Sequence, residues 1–98
     1  MSRAYRLAPL AQQDAEDLFD YIADDDFQTA LRIEQELTDV FRLLASRPHI
    51  GHTREDLQLP SHLRVWPFYS YLIVYRPESK PLEIVRVWHS AQKLPRLG

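Results

Sequence analysis

The stretch LRVWPFYSYLIVYRPESKPLEIVRVWH, residues 63–89, decides how this chain reads. It holds three strand candidates, at 62–66, 70–76 and 82–89. PFYS (67–70) separates the first two and RPESKP (76–81) the last two, as turn-forming residues do. The middle run, SYLIVYR, is apolar on both faces, with Tyr71, Ile73 and Tyr75 on one and Leu72 and Val74 on the other, because side chains alternate across a strand. Such a strand needs cover on both sides. Arg64 and Arg86 stand inside the flanking strands, and His89 ends the last. A buried arginine is costly unless it is paired.

Working outward, residues 49–61 (HIGHTREDLQLPS) read as a loop. Before it, residues 27–46 carry Ala30, Ile33, Leu37, Val40, Phe41 and Leu44 at helical spacing. Pro48 stops that helix and Gly51 permits a turn. Residues 9–23 form an earlier helix with the stripe Ala11, Ala15, Leu18, Ile22. Pro9 suits its first turn, and the acids Asp14, Glu16, Asp17 and Asp20 lie mostly off the stripe, several of them toward the positive end of the helix dipole. ADDDF breaks this helix, and Asp25 or Asp26 caps the next. The short connection implies an antiparallel hairpin. At the start, AYRLA (4–8) alternates as a short strand.

The order is β-α-α-β-β-β. This is an α+β fold, a helical hairpin packed on one face of a small, mostly antiparallel sheet. SAQKLPRL after the last strand forms a short helical tail with Leu94 and Leu97 as its apolar anchors. The hairpin covers one face of the central strand, and the tail or a partner protein covers the other. Residues 1–98 make one domain, because 98 residues support a single modest core burying about 60–65% of the unfolded surface.

Composition excludes several classes. The chain has no cysteine, so thiol catalysis, disulfides and zinc–thiolate sites are ruled out, which fits a cytoplasmic protein. No apolar run approaches the roughly 20 residues that span a bilayer, and the first 20 residues meet QQD before a signal-peptide core forms. Gly51 and Gly98 are the only glycines, too few for a phosphate-binding glycine loop. No nucleophile elbow surrounds any serine. His49, His52 and His62 lack the spacing of a metal site. No metal and no cofactor is expected.

Net charge is −2 but unevenly placed. Residues 1–49 hold 5 basic and 10 acidic side chains, and residues 50–98 hold 7 basic and 4 acidic. The second half is therefore the better surface for an anionic partner.

Strand parity sets Leu63 and Val65 against Arg64 and Trp66, and Val85 and Val87 against Ile84, Arg86 and Trp88. With the valine faces turned to the helices, both arginines share the helix-distant face. Two arginines beside two tryptophans bind phosphate, carboxylate or a nucleobase. The alternative is that each pairs with a nearby acid, Glu83 or a helix carboxylate. His89 is either an edge residue or a general acid or base tuned by a neighbour.

Taken in order, RPHIGHTREDL, LRVW, YLIVYR and LEIVRVWH after an α-hairpin resemble the RelE/ParE superfamily of bacterial type II toxins. The ParE branch is the nearer match. Its pattern of proline, glycine, arginine and acidic–leucine falls on Pro48, Gly51, Arg54 and EDL at 55–57. Its leucine–arginine strand falls on Leu63 and Arg64, its apolar strand on Tyr71 to Tyr75, and its last strand on Arg86 and His89. Two places depart from the pattern. The turn PFYS puts Phe68 and Tyr69 where small residues are usual, and HSAQKL has Gln92 and Lys93 where arginine and aspartate are usual.

The resemblance implies a cytoplasmic toxin neutralised by a cognate, ParD-like antitoxin in a hetero-oligomer, acting on DNA gyrase by binding rather than as an enzyme. It implies no membrane and no direct nucleic-acid contact. Target or antitoxin contacts are expected at Arg54, Arg64, Trp66, Phe68, Tyr69, Arg86, Trp88 and His89. Two alternatives stand beside this. One is a RelE-like, ribosome-dependent messenger ribonuclease with Glu55 as base, Arg64 as phosphate clamp and His89 as acid. The other is an inactive or repurposed interaction module of the same fold. Against the ribonuclease, the chain has a pI of about 6.0 and two lysines, Lys80 and Lys93, whereas RNA binders are usually basic.

Overall fold

The structure, a computed structural model, describes residues 4–91. Strand β1 (Tyr5–Leu7) leads into helix α1 (Pro9–Ala23) and helix α2 (Phe27–Ser46), then strands β2 (Arg64–Phe68), β3 (Tyr71–Arg76) and β4 (Leu82–His89). A single 3-10 turn, Glu55–Leu57, interrupts the loop before β2. The sheet order is β1-β4-β3-β2, with β1 parallel to β4 and the other pairs antiparallel. The tail expected around Leu94 and Leu97 lies outside the described residues, as do Gln92 and Lys93.

Pro9 opens α1 as expected, and Ala8 at its N-cap makes no side-chain cap. The acids of α1 all lie beyond its first turn, so the helix dipole does not account for them. Asp26 caps α2: its Oδ1 accepts from the Thr29 backbone N–H at 3.1 Å and its Oδ2 from the Thr29 hydroxyl at 2.8 Å. Those two bonds hold the Asp26 carboxyl below the usual carboxylate range. A lowered folded-state pKa gives stability that is present above the unfolded value and is lost as pH falls through the folded one. The expected result is a steeper loss of stability as pH falls below about 4 for the wild type than for Asp26→Asn, which keeps an uncharged cap. Urea unfolding across that range measures it, and parallel curves would refute the assignment.

The two helices bury their stripes against the sheet. Ala11, Leu18, Leu37, Phe41 and Leu44 pack with Phe68, Ile73, Tyr75, Leu82, Ile84 and Val87. A second, smaller cluster lies on the other face, where Leu63, Val65 and Val74 pack with Leu59 and Val85. The loop before β2 therefore covers the middle of the helix-distant face, a role the sequence reading gave to the tail or a partner. It was legible as loop but not as cover, because two leucines in a polar stretch show no period.

Two corrections concern the strands. Pro67 and Phe68 belong to β2, and the turn is only Tyr69–Ser70, with Phe68 paired to Tyr71. Pro67 is tolerated because β2 is an edge strand. Second, Arg64 and Arg86 do not share a face. Arg64 pairs with Tyr75 and Trp66 with Ile73, which puts both on the hairpin side. The bulky Trp66 and Phe68 fill that side, and the valine face of β2 meets Leu59 and Leu63 instead. In β4, the register shifts between Val74 and Tyr75, so Arg86 pairs with Val74 and Ile84 with Tyr75. This bulge lets Ile84 and Val87 both face the hairpin and leaves Arg86 and Trp88 on the distant face, since one extra residue inverts the alternation beyond it.

Candidate functional site

The first constellation ties the loop after α2 to the sheet. The Tyr75 side chain is wholly buried. Its hydroxyl donates to the Pro48 carbonyl at 2.7 Å and accepts from the Gly51 backbone N–H at 2.9 Å. Burial pushes the Tyr75 hydroxyl pKa up. Arg64 Nη1 donates to the Gly51 carbonyl at 2.9 Å. His52 and Val65 exchange backbone bonds of 2.9 and 2.8 Å, and the His52 ring lies parallel to Trp66 at 6.2 Å. Gly51 is required by close approach. A Cβ there would fall 2.3 Å from the Tyr75 hydroxyl oxygen. Arg54 clasps Asp56 through two bonds of 2.9 and 2.8 Å, which closes the 3-10 turn and raises the arginine pKa while lowering that of Asp56. The proline, glycine, arginine and tyrosine positions are thus parts of one clamp.

The second constellation sits at the far end of β4. Arg86 leaves the distant face and turns around the strand edge to α1, where Nε and Nη2 meet the two oxygens of Asp14 at 2.7 and 2.9 Å. Asp14 also accepts from the Val87 backbone N–H at 3.0 Å, an edge donor left unpaired once β1 ends. Both side chains of the pair are about 15% exposed or less. The guanidinium carbon lies 4.5 Å from the Trp88 ring centroid. Asp14, Arg86, Trp88, His89, Tyr21 and Tyr71 line a cleft of about 430 Å³. His89 meets Tyr71 edge-on at 5.0 Å, and its Nδ1 accepts from the Ala91 N–H at 3.1 Å. Burial first, and the Tyr21 hydroxyl second, raise the Tyr71 pKa.

Of the expected contact residues, Phe68 is only 6% exposed and belongs to the core, which corrects its expected place at the turn tip. Tyr69 is 68% exposed. It holds a left-handed φ of 53°, a conformation unfavourable for an aromatic residue. A bond of 2.6 Å from its hydroxyl to Glu36 on α2 anchors it and raises its pKa. Trp66, Arg64 and Trp88 are half-buried. Sequence reasoning missed Asp14, which reads as one acid among seven in residues 14–26. It also missed the groove of about 530 Å³ between the helices and β1, where Tyr5, Phe19, Ile33, Leu37 and Phe41 line the walls and Glu16 and Glu34 the rim.

Glu55, Arg64 and His89 are not brought together. Arg64 pairs with Tyr75 and His89 with Tyr71. Four residues along the strands and two strand spacings put their Cα atoms about 16 Å apart. Among the described residues no group of three or more His, Asp or Glu could hold a metal ion, and no helix is long and apolar enough to cross a membrane.

A mixed four-stranded sheet under an α-hairpin, with a proline–glycine–tyrosine clamp, defines a small α+β protein. The family model described as ParE toxin of type II toxin-antitoxin system, parDE, matches residues 5–94, and the chain belongs to that family. A chain from the solved chromosomal ParDE TA system from P. aeruginosa shares the fold with a TM-score of 0.70, at 18% identity, over 87% of this chain and 92% of that one. No curated protein sequence matches.

Proposed function

We propose that the chain stops DNA gyrase by binding it, without cleaving a substrate, and that a cognate ParD-like antitoxin holds it inactive in the cytoplasm. Family membership supports the toxin. The observation that favours binding over RNA cleavage is the separation of Arg64 from His89, since a general acid and a phosphate clamp must both reach one scissile phosphate. The acidic surface agrees, because a phosphate backbone is held by basic side chains. Arg64 and Arg86 also have partners that fix them in place.

The groove between α1, α2 and β1 suits the antitoxin. Its walls are apolar and its rim acidic, so it fits an amphipathic segment carrying lysine or arginine. A short reading frame beside this one, encoding a small DNA-binding protein, is the expected source of that segment, and co-expression is expected to yield a hetero-oligomer.

The test uses purified protein in two assays. Supercoiling by gyrase is expected to fall, and messenger on translating ribosomes is expected to stay intact. Intact supercoiling with messenger cleavage that disappears in His89→Ala would replace this reading with the ribonuclease.

A further inference from the structure

The two layers carry opposite charge. The hairpin, residues 9–46, holds ten acids and two arginines. The four strands hold Arg6, Arg64, Arg76 and Arg86 against the single acid Glu83. Arg64 and Arg86 are committed to Gly51 and Asp14. Arg6 and Arg76 are placed differently.

Arg6, Glu83 and Arg76 form one row across β1, β4 and β3, since Glu83 is the register partner of both arginines. Leu82 and Ile84 point into the core, so the row stands on the helix-distant face. Arg6 Nε donates to one Glu83 oxygen at 3.3 Å and Arg76 Nε to the other at 2.9 Å. One carboxylate thus sits between two guanidiniums and leaves a net positive charge. The arginine side chains are 47% and 39% exposed. Each uses its Nε edge on Glu83, and among the described residues their Nη groups meet no further acceptor. Glu83 is held from behind, its backbone N–H donating to the Ser79 hydroxyl at 2.8 Å. Two arginines about two strand spacings apart, fixed by a shared carboxylate, present planar donors to an incoming anion.

We infer that this row docks an acidic side chain of a protein partner, and that the partner is the toxin's target rather than its antitoxin. The inference rests on the gyrase reading above. Charge complementarity assigns the two faces: the acidic hairpin groove takes a basic segment, and the arginine row on the opposite face takes a carboxylate. A nucleic-acid phosphate fits less well. Two arginines on a chain of net charge −2 release few counterions.

The experiment titrates wild type, Arg6→Gln/Arg76→Gln, Glu83→Gln and Arg42→Gln into a gyrase supercoiling assay, with circular dichroism confirming the fold of each. Arg42 is an exposed arginine on α2 and serves as the charge control. The double variant is expected to need about tenfold more protein for half-inhibition, and Arg42→Gln no more than the wild type. Glu83→Gln, which frees both guanidiniums, is expected to inhibit at least as well as the wild type. A folded double variant as potent as the wild type, or a folded Glu83→Gln that no longer inhibits, would overturn the assignment. So would an equal loss in Arg42→Gln. Retardation of linear duplex DNA by the wild-type protein alone would assign the row to phosphate instead. If the wild type does not inhibit gyrase, the functional reading fails first and this one falls with it.

Discussion

Asp14→Ala is expected to destabilise the protein by about 3 kcal/mol, read as a lower urea midpoint with an unchanged slope. The cost has three sources. The Arg86 guanidinium, 13% exposed in its side chain, loses both charge-assisted bonds and keeps only the Trp88 face. The Val87 N–H loses its acceptor at the edge of β4. The contact between α1 and β4 loses its polar anchor. Removing one member of a nearly buried pair strands the other, which is why the single change costs more than the pair contributes. Asp14→Ala combined with Arg86→Met is therefore expected to cost clearly less than the sum of the two single changes, with a coupling of about 1.5 kcal/mol or more. The remainder belongs to the Val87 N–H. Additive single changes would mean that the pair is a surface ion pair of little consequence. Against a total stability of about 5–10 kcal/mol for a chain of this size, the single change matters to folding in the cell.

The second large effect concerns Tyr75 and Gly51. Tyr75→Phe is expected to cost about 1–3 kcal/mol, because one hydroxyl satisfies both the Pro48 carbonyl and the Gly51 N–H. Gly51→Ala is expected to cost a similar amount for a steric reason. Its Cβ would lie 2.8 and 2.9 Å from two Tyr75 ring atoms as well as 2.3 Å from the oxygen, and the fully buried ring has no room to retreat. Tyr75→Phe does not relieve that overlap, so the double change is expected to stay destabilised relative to Tyr75→Phe alone. Both variants are expected to free the Gly51 carbonyl from Arg64 and to speed proteolysis in the loop at 52–63. Alkaline pH gives a separate check. Because burial raises the Tyr75 pKa, its neutral hydroxyl stabilises fully below the unfolded value of about 10 and loses that contribution as pH rises through the folded value. Tyr75→Phe should show a shallower alkaline decline.

Much of this was legible in the sequence. Both helices were readable because their stripes repeat every three or four residues and end at Asp26 and Pro48, signals that local physics enforces. The three long strands were readable because SYLIVYR and LEIVRVWH contain no helix-period pattern. The order of motifs around Pro48, Gly51, Arg54 and Arg64 carried the family. The face of each arginine was not readable. For Arg86 it depends on a bulge near Val85, of which the pair Ile84–Val85 gives no sign, and for Arg64 it depends on the pairing with Tyr75, which the β2 strand by itself does not show. The partner of Arg86 was equally hidden, since Asp14 lies 72 residues away in a block of similar acids. Phe68 and Tyr69, adjacent in sequence and alike in type, end in the core and in solvent because a two-residue turn begins between them. The groove belongs to three elements at once, and no one of them announces it.

Gyrase inhibition by binding is tested most directly by titrating the purified protein against a fixed amount of gyrase on relaxed plasmid and reading the supercoiled fraction. The predicted result is a loss of supercoiling that grows with toxin and completes only when toxin matches or exceeds gyrase, with added antitoxin restoring activity. Full supercoiling at a large molar excess of folded toxin would contradict it.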